Sequence, residues 1–438
     1  MSVEFMTLLM FGSLIALLIL GIPIAWALGG VALFTTLLLW DFNSLYLFIT
    51  STYGTMVRTS FIAIPLFICM GVLMQLSGIA DGLFHTMYIW SGRLRGGIAI
   101  GVVIICAIFA AMTGISGAAA VTMGLIAIPA MRKHGYDKDL AVGTVAGPST
   151  LGILIPPSIV MIQMAIIAEI SAGQLFFAGM GPGIVMALMF IVYIVIKGLI
   201  NPSSCPATTV ETSWKEKIAS LRTVILPSLT IVAVLGSIFF GIATPTEASG
   251  VGVLALLIIL IIHRRFNWQT IRQASTDSFR ISALNMWIIF GAIAFASVYT
   301  ALGGIQFVNG ILLGLELGRW GTLMLIMGIV FIMGMFIDPI AIIWIVCPLA
   351  FPLMEKLGFD SIWFGTLFVI NIVMSYITPP FGCNLFYMKA IAPPDISMRD
   401  IFRSIWPFLG VEAACFAVVA IFPQTALWLP GLMRRMRA

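Results

Sequence analysis

Residues 175–196 contain no charged side chain, and comparable apolar runs recur along the chain. A run of roughly 20 apolar residues is what one crossing of a bilayer requires. Hydrocarbon offers no water to a backbone N–H or C=O, so such a segment closes its hydrogen bonds within itself, as a helix. Of the 438 residues, 61% are hydrophobic and 9% are charged. A soluble domain carries about 25% charged residues. The sequence therefore predicts an all-α polytopic membrane protein, with too little polar sequence for a separate soluble domain. The first twenty residues hold Glu4 and no Lys or Arg. A secretory signal opens on basic residues, so this segment is expected to be a retained first helix.

The six cysteines show no CxxC spacing, and all but Cys205 lie in apolar segments. There a free thiol behaves as a small hydrophobe, which argues against a disulfide or metal framework. The net charge of +5 comes from basic residues spread over short loops. That distribution fits a positive-inside bias rather than nucleic-acid binding.

The segments expected to be embedded are 4–21, 23–40, 60–80, 98–132, 138–170, 175–200, 222–243, 246–263, 281–303, 320–354, 360–392 and 404–429. Three of these (98–132, 138–170 and 320–354) are too long for one crossing. The first and last of the three carry small or turn-forming residues at their middles, "MTGISGA" and "GMFIDPI". Both read as hairpins that enter the membrane and leave on the same side. The polar stretch 201–221 divides the chain near its middle and is expected to be a cytoplasmic linker.

A gapless shift of 223 positions aligns "IPAMRKHGYD" with "FPLMEKLGFD". Pro129, Met131, Lys133, Gly135 and Asp137 fall on Pro352, Met354, Lys356, Gly358 and Asp360. The same shift places Pro156-Pro157 on Pro379-Pro380. A weaker match, at a shift of 222, sets Pro23, Gly30 and Val31 on Pro245, Gly252 and Val253. The chain is therefore expected to hold two repeats, 1–200 and 222–438, each with five crossings and one hairpin. An odd number of crossings makes the second repeat inverted relative to the first. Alternating the loops between two sides leaves Arg58, Arg319, Lys356, Arg434, Arg435 and Arg437 on one of them. The other sixteen of the 22 lysines and arginines, Arg93, Arg132 and Lys133 among them, mark the cytoplasm. Both termini are then periplasmic, and only the terminal "RRMRA" is discordant.

Proline lacks the N–H that a helix needs and clashes with the preceding turn. Two Pro-Pro pairs at equivalent repeat positions, within 138–170 and 360–392, therefore read as deliberate helix breaks. Interrupted helices in inverted repeats mark the binding site of a secondary transporter, where the break exposes backbone carbonyls and half-helix termini. At the first break Gly152, Ile155 and Pro157 offer carbonyls, with Thr113 and Ser116 at the facing hairpin tip. The repeat-related set is Ser375, Thr378 and Pro380, with Gly334 and Asp338 at the second tip. Each set suits a desolvated Na+. Helix capping by Thr113 and Ser116 is compatible with that role. Asp338 at membrane depth is a functional candidate, or alternatively the N-cap of the outgoing arm with Pro339 in its first position. Glu412 in the last span is a partner or a buried scaffold residue. "TPTE" (244–247) reads as a capping box rather than a catalytic motif. Half-helix N-termini near Ser158 and Phe381 suit an anionic group, and Thr378 and Asn384 add hydrogen-bonding capacity.

Six stretches taken together resemble the large membrane subunit of tripartite ATP-independent periplasmic (TRAP) transporters. They are "FIAIPLFICMG", "TGISGAAAVTMGLIAIPAMRKHGYDKDLAVGT", "STLGILIPPSI", "GIATPTEASGVG", "GMFIDPIAIIW" and "YITPPFGCNLFYMKAIAP". The resemblance runs nearly the whole length. It implies an elevator fold whose moving transport domain holds both hairpins and both broken helices, against a static scaffold. It favours the same ion-site positions. It also implies Na+-coupled import of a small organic anion of the carboxylate, 2-oxo acid or sulfonate type, with Na+ as coupling ion and no other cofactor. Its implied partners are a periplasmic substrate-binding protein and a small four-helix membrane subunit, and its implied location is the bacterial inner membrane. The tip "GISGAAA" is poorer in hydroxyls than the Ser-rich tips of sialic-acid members.

Three other readings compete, and one of them, a purely structural membrane subunit, would leave the paired breaks without a purpose. "GISG" (114–117) matches a rhomboid-type serine motif, but His85, His134 and His263 all sit at charged borders, away from membrane depth. A stand-alone Na+/dicarboxylate symporter of related architecture, needing no binding protein, remains the alternative.

Overall fold

A computed structural model describes residues 2–40, 42–91, 94–207 and 213–437. Arg93, counted above on the basic side, and residues 208–212 of the linker lie outside them. The described residues are helical, with no strand. In chain order the helices that matter for the site are α1 (Val3–Ile19), α2 (Ile24–Leu39), α3 (Ala63–Leu76), α4 (Gly97–Thr113), α5 (Ser116–Lys133) and α6 (Lys138–Ser149). They continue with α7 (Leu151–Leu154), α8 (Ile159–Ile167), α9 (Ala172–Ile200), α10 (Pro245–Ile262) and α11 (Trp268–Ala301). The last are α12 (Gly318–Phe336), α13 (Pro339–Lys356), α14 (Ser361–Tyr376), α15 (Cys383–Ile391) and α16 (Met398–Ile421). Nine helical segments among the described residues are long and apolar enough to cross a membrane.

The stretches expected to be hairpins are pairs of helices joined by very short turns. Only Gly114 and Ile115 separate α4 from α5, and only Ile337 and Asp338 separate α12 from α13. The expected helix breaks are also present. α6 and α7 give way at Ile155, and α8 restarts at Ile159. α14 stops at Tyr376, and α15 begins at Cys383. Both Pro-Pro bonds are cis.

Positions 223 apart share local structure around these elements. Asp137 caps α6 by accepting from the N–H groups of Asp139 and Leu140, and Asp360 caps α14 by accepting from those of Ile362 and Trp363. A capping carboxylate of this kind contributes about 1 kcal/mol. Gly135 and Gly358, two residues before each cap, both have positive φ (78° and 76°).

Two expectations shift. The segment 281–303 is the C-terminal part of α11, a 34-residue helix about 51 Å long. Its first turns carry Arg272, Asp277 and Arg280 without ending the helix, and Asn267 caps it through the Thr270 N–H. The expected span 404–429 is split after Ile421, and a separate helix runs Gln424–Arg437. Pro423 cannot supply the N–H that would continue α16.

In the packing, α11 lies on α2 and α3, and α3 on α10. The first hairpin packs on α6, the second on α14, α8 and α11, and α16 runs alongside α6. The first broken helix is the most enclosed candidate span, with 94% of its apolar window buried, against 22% for Trp214–Phe239.

Candidate functional site

The tip of the first hairpin sits on the first break. Gly114 ends α4 in the left-handed region (φ 63°), and a Cβ there would overlap the Pro157 carbonyl oxygen. A Cβ on Gly152 would lie 3.1 Å from Ile115 C and Ser116 N. The two glycines thus let backbone meet backbone where the hairpin tip seats on the break. Thr113, Ser116, Gly152, Ile155 and Pro157, the first expected ion set, fall in this one region. Thr113 Oγ1 donates to Phe109 O at 2.9 Å, whereas Ser116 Oγ is buried with no hydrogen-bond partner. A buried, unpartnered hydroxyl is uncommon and marks a place where a ligand can complete the bonding.

The second tip meets the second break in a similar way. A Cβ on Gly334 would overlap Ser375 Oγ, and the Gly382 N–H donates to Met335 O at 3.2 Å. Ser375 Oγ donates to Ile372 O (2.9 Å) and Thr378 Oγ1 to Met374 O (2.7 Å), so both hydroxyls keep lone pairs for a cation. Asp338 does cap α13, its Oδ1 accepting from the Ile340 N–H at 2.9 Å, with Pro339 first in the helix. The two breaks differ in exposure. Every residue from 151 to 160 is buried, whereas Pro380 and Phe381 are exposed.

Between the two tips and α11 lies a cavity of about 450 Å³. One wall carries Gly114–Ala118, Ile153, Val160, Asp338, Tyr376 and Tyr387, and the other carries Gln75 of α3 and Ile281, Leu284, Asn285 and Ile288 of α11. That volume suits a small organic solute. Asn285 Nδ2 donates to Ile281 O at 2.8 Å, and its Oδ1 is buried and unpartnered. Asp338 is the one ionisable carboxylate among the lining residues, which include no Lys, Arg or His.

Of the residues expected to touch substrate, Ser158 caps α8 and donates its hydroxyl to Ile153 O at 2.6 Å. Asn384 is buried beside α6, its Nδ2 donating to Ala146 O (2.8 Å) and Ser149 Oγ (2.9 Å). Neither these two nor Thr378 is among the cavity-lining residues. Gln75, Asn285, Tyr376 and Tyr387 were not anticipated. Asn285 carried a signal, as a polar residue in the long apolar stretch of α11. The others had none, because only tertiary packing brings them to the cavity. Thr244 and Glu247 form the expected capping box at the start of α10.

A helical membrane bundle with a solute-sized cavity bordered by two interrupted helices is the architecture of a membrane-transport permease. The model of the family "Tripartite ATP-independent periplasmic transporter, DctM component" matches residues 11–425, and the chain belongs to that family. It is 34% identical over 397 residues to the C4-dicarboxylate TRAP transporter large permease protein of Pseudomonas aeruginosa, covering 90% of this chain and 92% of the relative. It is 30% identical over 442 residues to the ectoine TRAP transporter large permease protein of Halomonas elongata, covering 98% of this chain and 100% of the relative. In fold it is similar to the YdaH transporter of Alcanivorax borkumensis, with a TM-score of 0.65 at 12% identity over 89% of each chain. Both relatives are large permease proteins of TRAP transporters.

Proposed function

We propose that this chain drives Na+-coupled import of a small organic anion, handed over by a periplasmic substrate-binding protein, in complex with a small four-helix membrane subunit. The observation that carries this reading is the cavity. Both hairpin tips border it on one side and α3 and α11 on the other, so sliding one wall past the other as an elevator carries a solute across. Two Na+ ions held at the tip–break contacts offset the charge of the anion and of Asp338, which no Lys or Arg on the cavity wall balances. The first site comprises Thr113, Ser116, Gly152, Ile155 and Pro157, and the second Gly334, Asp338, Ser375, Thr378 and Pro380. Both termini lie in the periplasm. The named relatives carry C4-dicarboxylates and ectoine, so the family leaves the solute open while favouring a compact one with a carboxylate.

The test is uptake into proteoliposomes of the assembled transporter with external Na+ replaced by choline at constant ionic strength. Uptake should collapse. Undiminished uptake in choline would rule out Na+ coupling.

A further inference from the structure

Glu412 lies midway along α16, fully buried and away from the cavity, and the transport reading gives it no task. Its Oε1 is 2.9 Å from Thr150 Oγ1, and its Oε2 has no partner. Thr150 Oγ1 is also 2.6 Å from Gly147 O. A hydroxyl has one hydrogen to give. Two oxygens at 2.6 Å need a proton between them, and Gly147 O has none, so the Thr150 hydrogen is spent on that carbonyl. The contact with Glu412 is then a hydrogen bond only if the carboxyl supplies the proton.

The neighbouring residue shows the same arrangement with an unambiguous donor. Ser149 Oγ donates to Ala146 O (2.9 Å) and accepts from the Asn384 amide N–H (2.9 Å). Among the described residues, no Lys or Arg pairs with Glu412 to hold it ionised. On α16 the nearest basic residue is Arg403, nine positions and about 13 Å away, and it pairs with Asp139. On α6 the charges are Lys138 and Asp139, about 18 Å from Thr150 along the helix. α14 has no charged residue, and Lys197 is the one basic residue of α9. Lys197 lies about 22 Å along the helix from Pro182, whose carbonyl contacts Cys415. Lys389 of α15 donates to Ile396 O, and Arg434 of the C-terminal helix to Gln174. Cys415 points its thiol at Pro182 O and gives Glu412 nothing.

We propose that Glu412 holds a resident proton and donates it to Thr150, so that Glu412 and Asn384 clamp the last turn of α6 from two sides, just ahead of the first break. Glu412 is a positioning residue, neutral and not exchanged with the cavity. This inference stands independently of the Na+ reading.

Infrared difference spectra of the purified full chain in nanodiscs, native minus Glu412→Gln at neutral pH, test it directly. The expected result is a protonated-carboxyl carbonyl band that moves down in D2O and moves up in a Thr150→Val background, where its acceptor is gone. Carboxylate stretches in place of that band would overturn the proposal. In uptake by the assembled transporter, Glu412→Gln keeps the N–H donor and should retain native rates, whereas Glu412→Leu should lose roughly tenfold, as for a buried donor removed from its network. Equal loss in both variants would contradict the donor role, and unchanged uptake in both would contradict the clamp.

Discussion

The indole N–H of Trp344 donates to Gln163 Oε1 at 2.9 Å, fastening the outgoing arm of the second hairpin to the outgoing half of the first broken helix. Both side chains are buried, and Gln163 Nε2 has no other partner to fall back on. Trp344→Phe should therefore strand the amide and cost about 1–3 kcal/mol, read as a lower unfolding midpoint of the purified protein. Adding Gln163→Leu removes the stranded group and should recover most of the loss. Simple additivity of the two changes would mean that the bond is not what holds these elements together.

A Cβ added at Gly334 would overlap the Ser375 side chain, so the second tip seats on its break with no room for a larger residue there. Gly334→Ala should abolish uptake, because the methyl occupies the space of the Ser375 side chain. Pairing it with Ser375→Gly reopens that space and should restore assembly, judged by a monodisperse purified protein. A Gly334→Ala variant with native uptake would show that the second tip does not need to seat on its break.

Much of this site was legible because proline and glycine act locally. The Pro-Pro pairs had to interrupt their helices wherever the chain placed them, and Asp338-Pro339 had to start one. The bounds of α11 were less legible, because its polar first turns look like loop while Asn267 already commits them to helix. The scaffold wall was not legible at all. Gln75 and Asn285 face the tips only through packing, 263 and 53 positions away from Asp338 in sequence, and periodicity carries no such information.

The proposed Na+ and solute contacts fall on opposite walls of the cavity, so they can be tested separately. Ser116→Ala removes an unpartnered hydroxyl from the first tip and should raise the Na+ concentration for half-maximal uptake several-fold, with solute preference kept. Asn285→Ala removes an acceptor on α11 and should lower uptake while leaving that Na+ concentration unchanged. The opposite pattern would exchange the two assignments.

Topology can be read from thiol labelling at repeat-equivalent positions. Lys133 and Lys356 are both exposed, as the last residues of α5 and α13. Lys356→Cys should react with an impermeant reagent in intact cells and Lys133→Cys only after lysis, in a background lacking the half-buried Cys69 and Cys383. Cys205 should stay silent, since burial pushes its thiol above the ordinary value and keeps the reactive thiolate scarce. Equal labelling of the two positions in intact cells would contradict the inverted arrangement.

The most direct measurement of the central claim compares the purified chain alone with the assembled transporter in liposomes carrying an inward Na+ gradient. The account predicts no solute movement by the chain alone, because its described residues form a membrane bundle and not a soluble receptor. Uptake should appear when the small membrane subunit and the solute-loaded binding protein are both supplied. Robust Na+-driven uptake by the chain alone would contradict the tripartite reading and establish a stand-alone symporter.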